Sequence, residues 1–88
     1  MKFRMRRRRT DFPAVLRTES GVERVVVKDV AAKGLSATGL THFVAAEAEV
    51  TLVIRQQRYP GKVAWSRDRD IGFALAKPLS AEVMRLVT

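Results

Sequence analysis

Cysteine is absent from this 88-residue chain, which excludes a disulfide framework and a thiolate metal site and fits a reducing compartment. Histidine occurs once, at His42, too few imidazoles for a metal cluster. No apolar run approaches the roughly 18 residues needed to span a bilayer, and the basic start is not followed by the apolar stretch of a signal peptide. The expectation is a cytoplasmic protein with no membrane insertion. Paired carboxylates, a Ser/His/Asp set and a glycine-rich phosphate loop are also missing, so an enzyme is not expected. No internal repeat is found, and low complexity is confined to a run of arginines. The length suits one domain with a single modest core.

What the chain does have is positive charge gathered at one end. The formal net charge is +8. Lys2 and five arginines (Arg4, Arg6, Arg7, Arg8 and Arg9) fall in the first ten residues with no acid among them, and the remainder is nearly neutral. Guanidiniums so close together repel one another and add nothing to a core. An anionic partner offsets that cost, and the planar, bidentate fork of arginine suits phosphate. A solvated basic tail or a non-specific nucleic-acid patch is the plainer explanation of the same run. Residues 1–10 are expected to form a flexible basic N-terminal arm, and 11–88 the folded domain.

Along that domain the apolar residues follow the strand period. Phe12 to Thr18 is a mixed run whose proline suits a strand start or an edge. Turn residues Glu19-Ser20-Gly21 follow. Val22 to Val30 is rich in β-branched residues, which favour a pleated, half-buried surface. Gly34 to Leu40 predicts a short strand between glycines, Thr41 to Ala48 a loop, and Glu49 to Gln57 a strand with Val50, Leu52 and Ile54 on one face. Tyr59-Pro60-Gly61 predicts a break. Gly61 to Ser66 then resumes with Val63 and Trp65 at period two, and Ile71, Phe73 and Leu75 share one face of a last strand. Ser80 is an N-cap candidate for a helix carrying Val83, Met84 and Val87. The expected fold is all-β: a small six-stranded antiparallel β-barrel with a short C-terminal helix, closure being how a small all-β protein removes exposed edges.

The order of these features resembles the PilZ domain family, small split β-barrels that bind the bacterial second messenger cyclic di-GMP. That family carries an Arg-x-x-x-Arg motif before its first strand, and Arg4 and Arg8 are the pair four apart in this chain. Its second motif, Asp/Asn-x-Ser-x-x-Gly, is matched by Asp29-Val30-Ala31-Ala32-Lys33-Gly34 at Asp29 and Gly34, with Ala31 in place of the serine. Gly61-Lys62-Val63-Ala64-Trp65 and Asp70-Ile71-Gly72-Phe73 resemble the later strands. The resemblance covers nearly the whole chain.

It implies a cyclic di-GMP receptor or adaptor that couples the level of the second messenger to an unidentified protein partner, in motility or biofilm regulation, with no cofactor and no metal. The implied ligand-binding residues are Arg4, Arg8, Arg9, Asp29, Ala31 and Gly34. Arg6, Arg7 and Arg9 can each stand in for a member of the arginine pair. In such a site guanidiniums meet phosphates and guanine faces, Asp29 accepts from the guanine N1–H and exocyclic amine, and Gly34 lets backbone approach where a Cβ would clash. One neutral hydrogen bond is worth about 0.5–1.5 kcal/mol, so Ala31 lowers affinity by about tenfold without abolishing it. Members of the family that bind no nucleotide and act as protein adaptors are one alternative; a small basic nucleic-acid-binding barrel is another. Plainer roles stand beside these: Asp29 as a turn residue ending a strand, Trp65 as a core or barrel-wall aromatic, and the terminal helix as packing on the barrel.

Overall fold

The computed structural model describes residues 8–31 and 33–87. Six strands and one helix follow in chain order: β1 (Arg8–Thr18), β2 (Gly21–Ala31), β3 (Gly34–Thr38), β4 (Glu49–Ile54), β5 (Gln57–Arg67), β6 (Asp70–Leu75) and α1 (Ala81–Val87). They close into an antiparallel barrel in the order β1-β2-β3-β6-β5-β4. Arg8, Arg9 and Thr10, within the arm expected over residues 1–10, belong to β1.

The barrel forms because each strand can supply one apolar face. Ala14 and Leu16, Val25 and Val27, Val50 to Ile54 in alternation, Val63, and Ile71, Phe73 and Leu75 all point inward into one core. Leu16, Leu52 and Val63 are fully buried. Such side chains are each worth about 1.5–3 kcal/mol when removed from water. The helix closes the same core with Val83 and Val87. Its start is fixed as the sequence suggests: the backbone N–H of Val83 donates to Ser80 Oγ at 3.1 Å, the N-cap arrangement.

One expected boundary moves. No break occurs at Tyr59-Pro60-Gly61, and β5 runs straight through it. The reversal comes earlier, at Arg55 and Gln56, both in the left-handed region with φ of 50° and 70°, the conformation of a two-residue hairpin turn. Pro60 is tolerated because its carbonyl accepts from the N–H of Ala76 at 2.9 Å. Its missing donor therefore faces the side where β6 has already ended, and the ladder to β4 loses no hydrogen bond.

The segment between β3 and β4 has no regular structure, as expected, but it is anchored. Leu40 and Val44 enter the core, and Glu23, buried at 5% exposure, holds the segment through hydrogen bonds. The N–H and the hydroxyl of Thr41 both donate to Glu23 Oε1 at 2.9 Å, and His42 Nδ1 lies 2.9 Å from Oε2. The Thr41 N–H foremost, then His42, hold the Glu23 carboxyl below its ordinary pKa against the opposing push of burial. A carboxylate favoured in the folded state adds stability above its unfolded pKa, and that contribution is lost as pH falls through the folded value.

Glu23→Gln is accordingly expected to cost about 1–3 kcal/mol at neutral pH and to flatten the loss of stability below about pH 4. Urea midpoints measured from pH 7 to pH 3 check both; parallel curves for the two proteins would contradict the assignment.

Candidate functional site

In a closed barrel the inward side chains are committed to packing, so any chemistry belongs to the outer wall and the ends. Strict alternation would turn Asp29 inward after Val25 and Val27, and Trp65 inward after Val63. Neither is where alternation puts it. Between Val27 and Asp29 the register of β2 against β3 slips by one residue, leaving Lys28 as an extra residue. Val30 then takes the inward position. Between Val63 and Trp65 the register of β5 against β6 slips likewise, with Ala64 as the extra residue. The β1–β2 ladder is also irregular beside these positions, between Arg9 and Phe12. β-Bulges re-aim side chains in this way.

Trp65 therefore does not share a face with Val63, as its spacing suggests, and is not a core aromatic. It stands outside, 45% exposed. The cost of the reversal falls on the next residue: Ser66 Oγ is buried without a hydrogen-bond partner among the described residues.

With both bulges in place, five residues from five successive strands follow one another around the outside of the barrel. Arg9 pairs with Asp29, Asp29 with Ser36, Ser36 with Gly72 and Gly72 with Trp65. Laterally paired residues point to the same side and have Cβ atoms about 4.5–5.5 Å apart. Ser36 Oγ donates to Asp29 Oδ2 at 2.7 Å, orienting the carboxylate. Gly72 supplies the room for the indole: a Cβ there would lie 2.1 Å from Trp65 Nε1 and 2.5 Å from Cε2. The pyrrole half of the ring thus covers β6, one strand spacing of about 4.8 Å from Ser36 and two from Asp29. Guanidinium, carboxylate, hydroxyl and an exposed aromatic plane are brought into one row. Beside it, the extra residue Lys28 pairs with Asp11.

The residues singled out in the sequence fall unequally on this row. Arg9 and Asp29 are in it. Arg8 opens β1 with its Cα opposite Val30, and Arg4 lies outside the described residues. Ala31 is buried, so the hydroxyl nearest Asp29 comes from Ser36 instead. Gly34 pairs with Ala31, and a Cβ on it would come within 3.2 Å of the Phe73 carbonyl oxygen; its close approach is to the neighbouring strand. Ser36 and Trp65 complete the row and are not among the site residues expected from sequence. Ser36 was within reach of sequence reasoning, because a tight β2–β3 hairpin through Ala31 and Gly34 sets residue 36 against residue 29. Among the described residues no group of three His, Asp or Glu side chains gathers as metal ligands would, and no helix is long and apolar enough to cross a membrane.

No protein-family model matches the chain, and no curated protein matches it.

The platform depends on the glycine beneath it. Gly72→Val is expected to push the indole outward and shift its emission to longer wavelength, a direct report because Trp65 is the one tryptophan of the chain. An unchanged emission spectrum would mean that the ring does not rest on Gly72.

Proposed function

We propose that this protein is a cyclic di-GMP receptor of the PilZ type, a cytoplasmic, non-enzymatic module that couples occupancy by the dinucleotide to a partner protein. One observation carries the proposal: the outward row of Arg9, Asp29, Ser36 and Trp65. Its chemistry suits a guanine nucleotide. A purine laid on the exposed indole gains about 1–3 kcal/mol from stacking. Asp29, oriented by Ser36, accepts from the guanine N1–H and exocyclic amine, a pair of donors that neither adenine nor a pyrimidine presents to a carboxylate in the same way. Arg9 stands across the ladder from Asp29 and supplies a guanidinium for phosphate, with Arg8 and Arg4 assigned the same task by the resemblance. Ala31 withholds a hydroxyl that Ser36 replaces in kind, on the neighbouring strand.

The second use of such a row is single-stranded nucleic acid, which also stacks on aromatics and pairs phosphates with arginine. The two separate cleanly by ligand. In calorimetric titrations at physiological salt, cyclic di-GMP is expected to bind saturably with micromolar or tighter affinity, while GTP and a short oligonucleotide do not. Asp29→Ala and Arg9→Ala should each weaken binding by about tenfold or more, the equivalent of one charge-assisted hydrogen bond. No heat with the dinucleotide, or oligonucleotide binding that strengthens with length, overturns the proposal.

A further inference from the structure

The two ends of the barrel differ in charge. All neighbouring strands are antiparallel, so β1, β3 and β5 start, and β2, β4 and β6 finish, at the same end. β6 and β1 lie opposite each other in the barrel, and the chain leaving β6 crosses from one to the other: α1 packs on β1, and Leu79, Val83 and Val87 reach the core. The wall is closed, so they reach it through this end, which the helix covers. The connection from β3 to β4 covers the other end likewise, through Leu40 and Val44.

Around the helix-covered end the exposed charges are Arg9 at the start of β1, Lys33 in the β2–β3 turn, Arg55 in the β4–β5 turn, and Lys77 and Arg85 on the closing segment, against Glu82. Asp11 and Asp29, on the wall nearby, are engaged by Lys28 and Ser36. Among the described residues none of Lys33, Arg55, Lys77 and Arg85 is paired with a carboxylate. At the other end Glu19, Glu47, Glu49, Asp68 and Asp70 outnumber Arg67 and Arg69. The basic rim holds Arg55 against local preference, because a turn with φ of 50° and 70° at its two residues is best filled by Asn-Gly. Within the rim, the outer face of α1 carries Glu82, Arg85 and Leu86, spaced as neighbours on one helix face, and Leu86 is 39% exposed.

This arrangement restricts the partner. The cations are spread around a rim and follow no groove that a nucleic-acid backbone could track, and no exposed aromatic stands among them to stack a base. An apolar side chain inside a ring of cations suits the surface of an anionic bilayer, which meets the cations with headgroup phosphates and the leucine with the boundary of its acyl chains.

We propose that the helix-covered end docks peripherally on an anionic lipid surface, through Lys33, Arg55, Lys77 and Arg85 around Leu86. The row proposed for the dinucleotide reaches this end at Arg9, so the test spares Arg9. The whole chain is sedimented with vesicles of phosphatidylcholine, with and without phosphatidylglycerol, over a series of salt concentrations. Binding is expected only with phosphatidylglycerol and should weaken as salt rises. Arg55→Glu/Lys77→Glu/Arg85→Glu should lower it at least about a hundredfold, at roughly fivefold per surface cation, with unchanged Trp65 emission showing that the fold is kept. Arg67→Glu/Arg69→Glu, at the far end, should change it by less than about threefold, lying beyond a Debye length. Leu86→Ser should weaken it severalfold at every salt concentration. None of these readouts uses the dinucleotide, so the inference stands or falls apart from the receptor proposal. Lys2, Arg4, Arg6 and Arg7 are intact in every variant, and a triple variant that binds as well as the parent would assign the attraction to them and overturn the inference. Equal binding to both kinds of vesicle, equal losses from the two ends, or displacement from the vesicles by a short oligonucleotide at equal phosphate concentration would overturn it too.

Discussion

Closure of six strands around Leu16, Leu52, Val63 and Phe73 is the constraint from which the rest of the structure follows. Once the ladder returns from β4 to β1 at Val15, Leu16 and Arg17, every strand has two neighbours and a fixed inner side. The outer side chains are what remains for chemistry, and they come in lateral rows because paired residues point the same way. Where one strand carries an extra residue, the assignment reverses for everything beyond it. Lys28 and Ala64 are such residues. They turn Asp29 and Trp65 out of the barrel at the same level, and the row they complete exists because both slips occur.

This division also marks what was legible in the sequence. The barrel was, since the β-branched runs and their period of two persist over most of each strand, and Ser80 announces the helix start. Asp29 and Arg9 entered through the resemblance, Asp29 by the Asp-x-x-x-x-Gly match and Arg9 as a substitute for a member of the Arg4 and Arg8 pair. Trp65 was not: two residues after Val63 it satisfies the alternation of a core position, and only the pairing of β5 with β6 reveals Ala64 as unpaired. Tyr59-Pro60-Gly61 misled for a similar reason. A proline breaks a strand when its nitrogen faces a neighbour, and which way a nitrogen faces is decided by the partner strands, here by β6 ending at Leu75. Gly72 likewise reads as a strand glycine until the indole is seen against it, and the close approach expected at Gly34 is made to the Phe73 carbonyl.

The outer wall presents an indole at Trp65 on β5, a carboxylate oriented by Ser36 at Asp29 on β2 and a guanidinium at Arg9 on β1, and these groups follow one another over five of the six strands. The receptor proposal rests on that sequence of groups.

The measurement that bears most directly on the row is an NMR titration with cyclic di-GMP in which the Trp65 indole N–H is followed together with the amides of Arg9, Asp29, Ser36 and Gly72. All five signals are expected to move on one saturation curve while Val15 and Val53 stay in place. A saturable shift that leaves the indole and Asp29 unmoved would mean that the ligand binds elsewhere and that the row assembled by the two bulges is not its site.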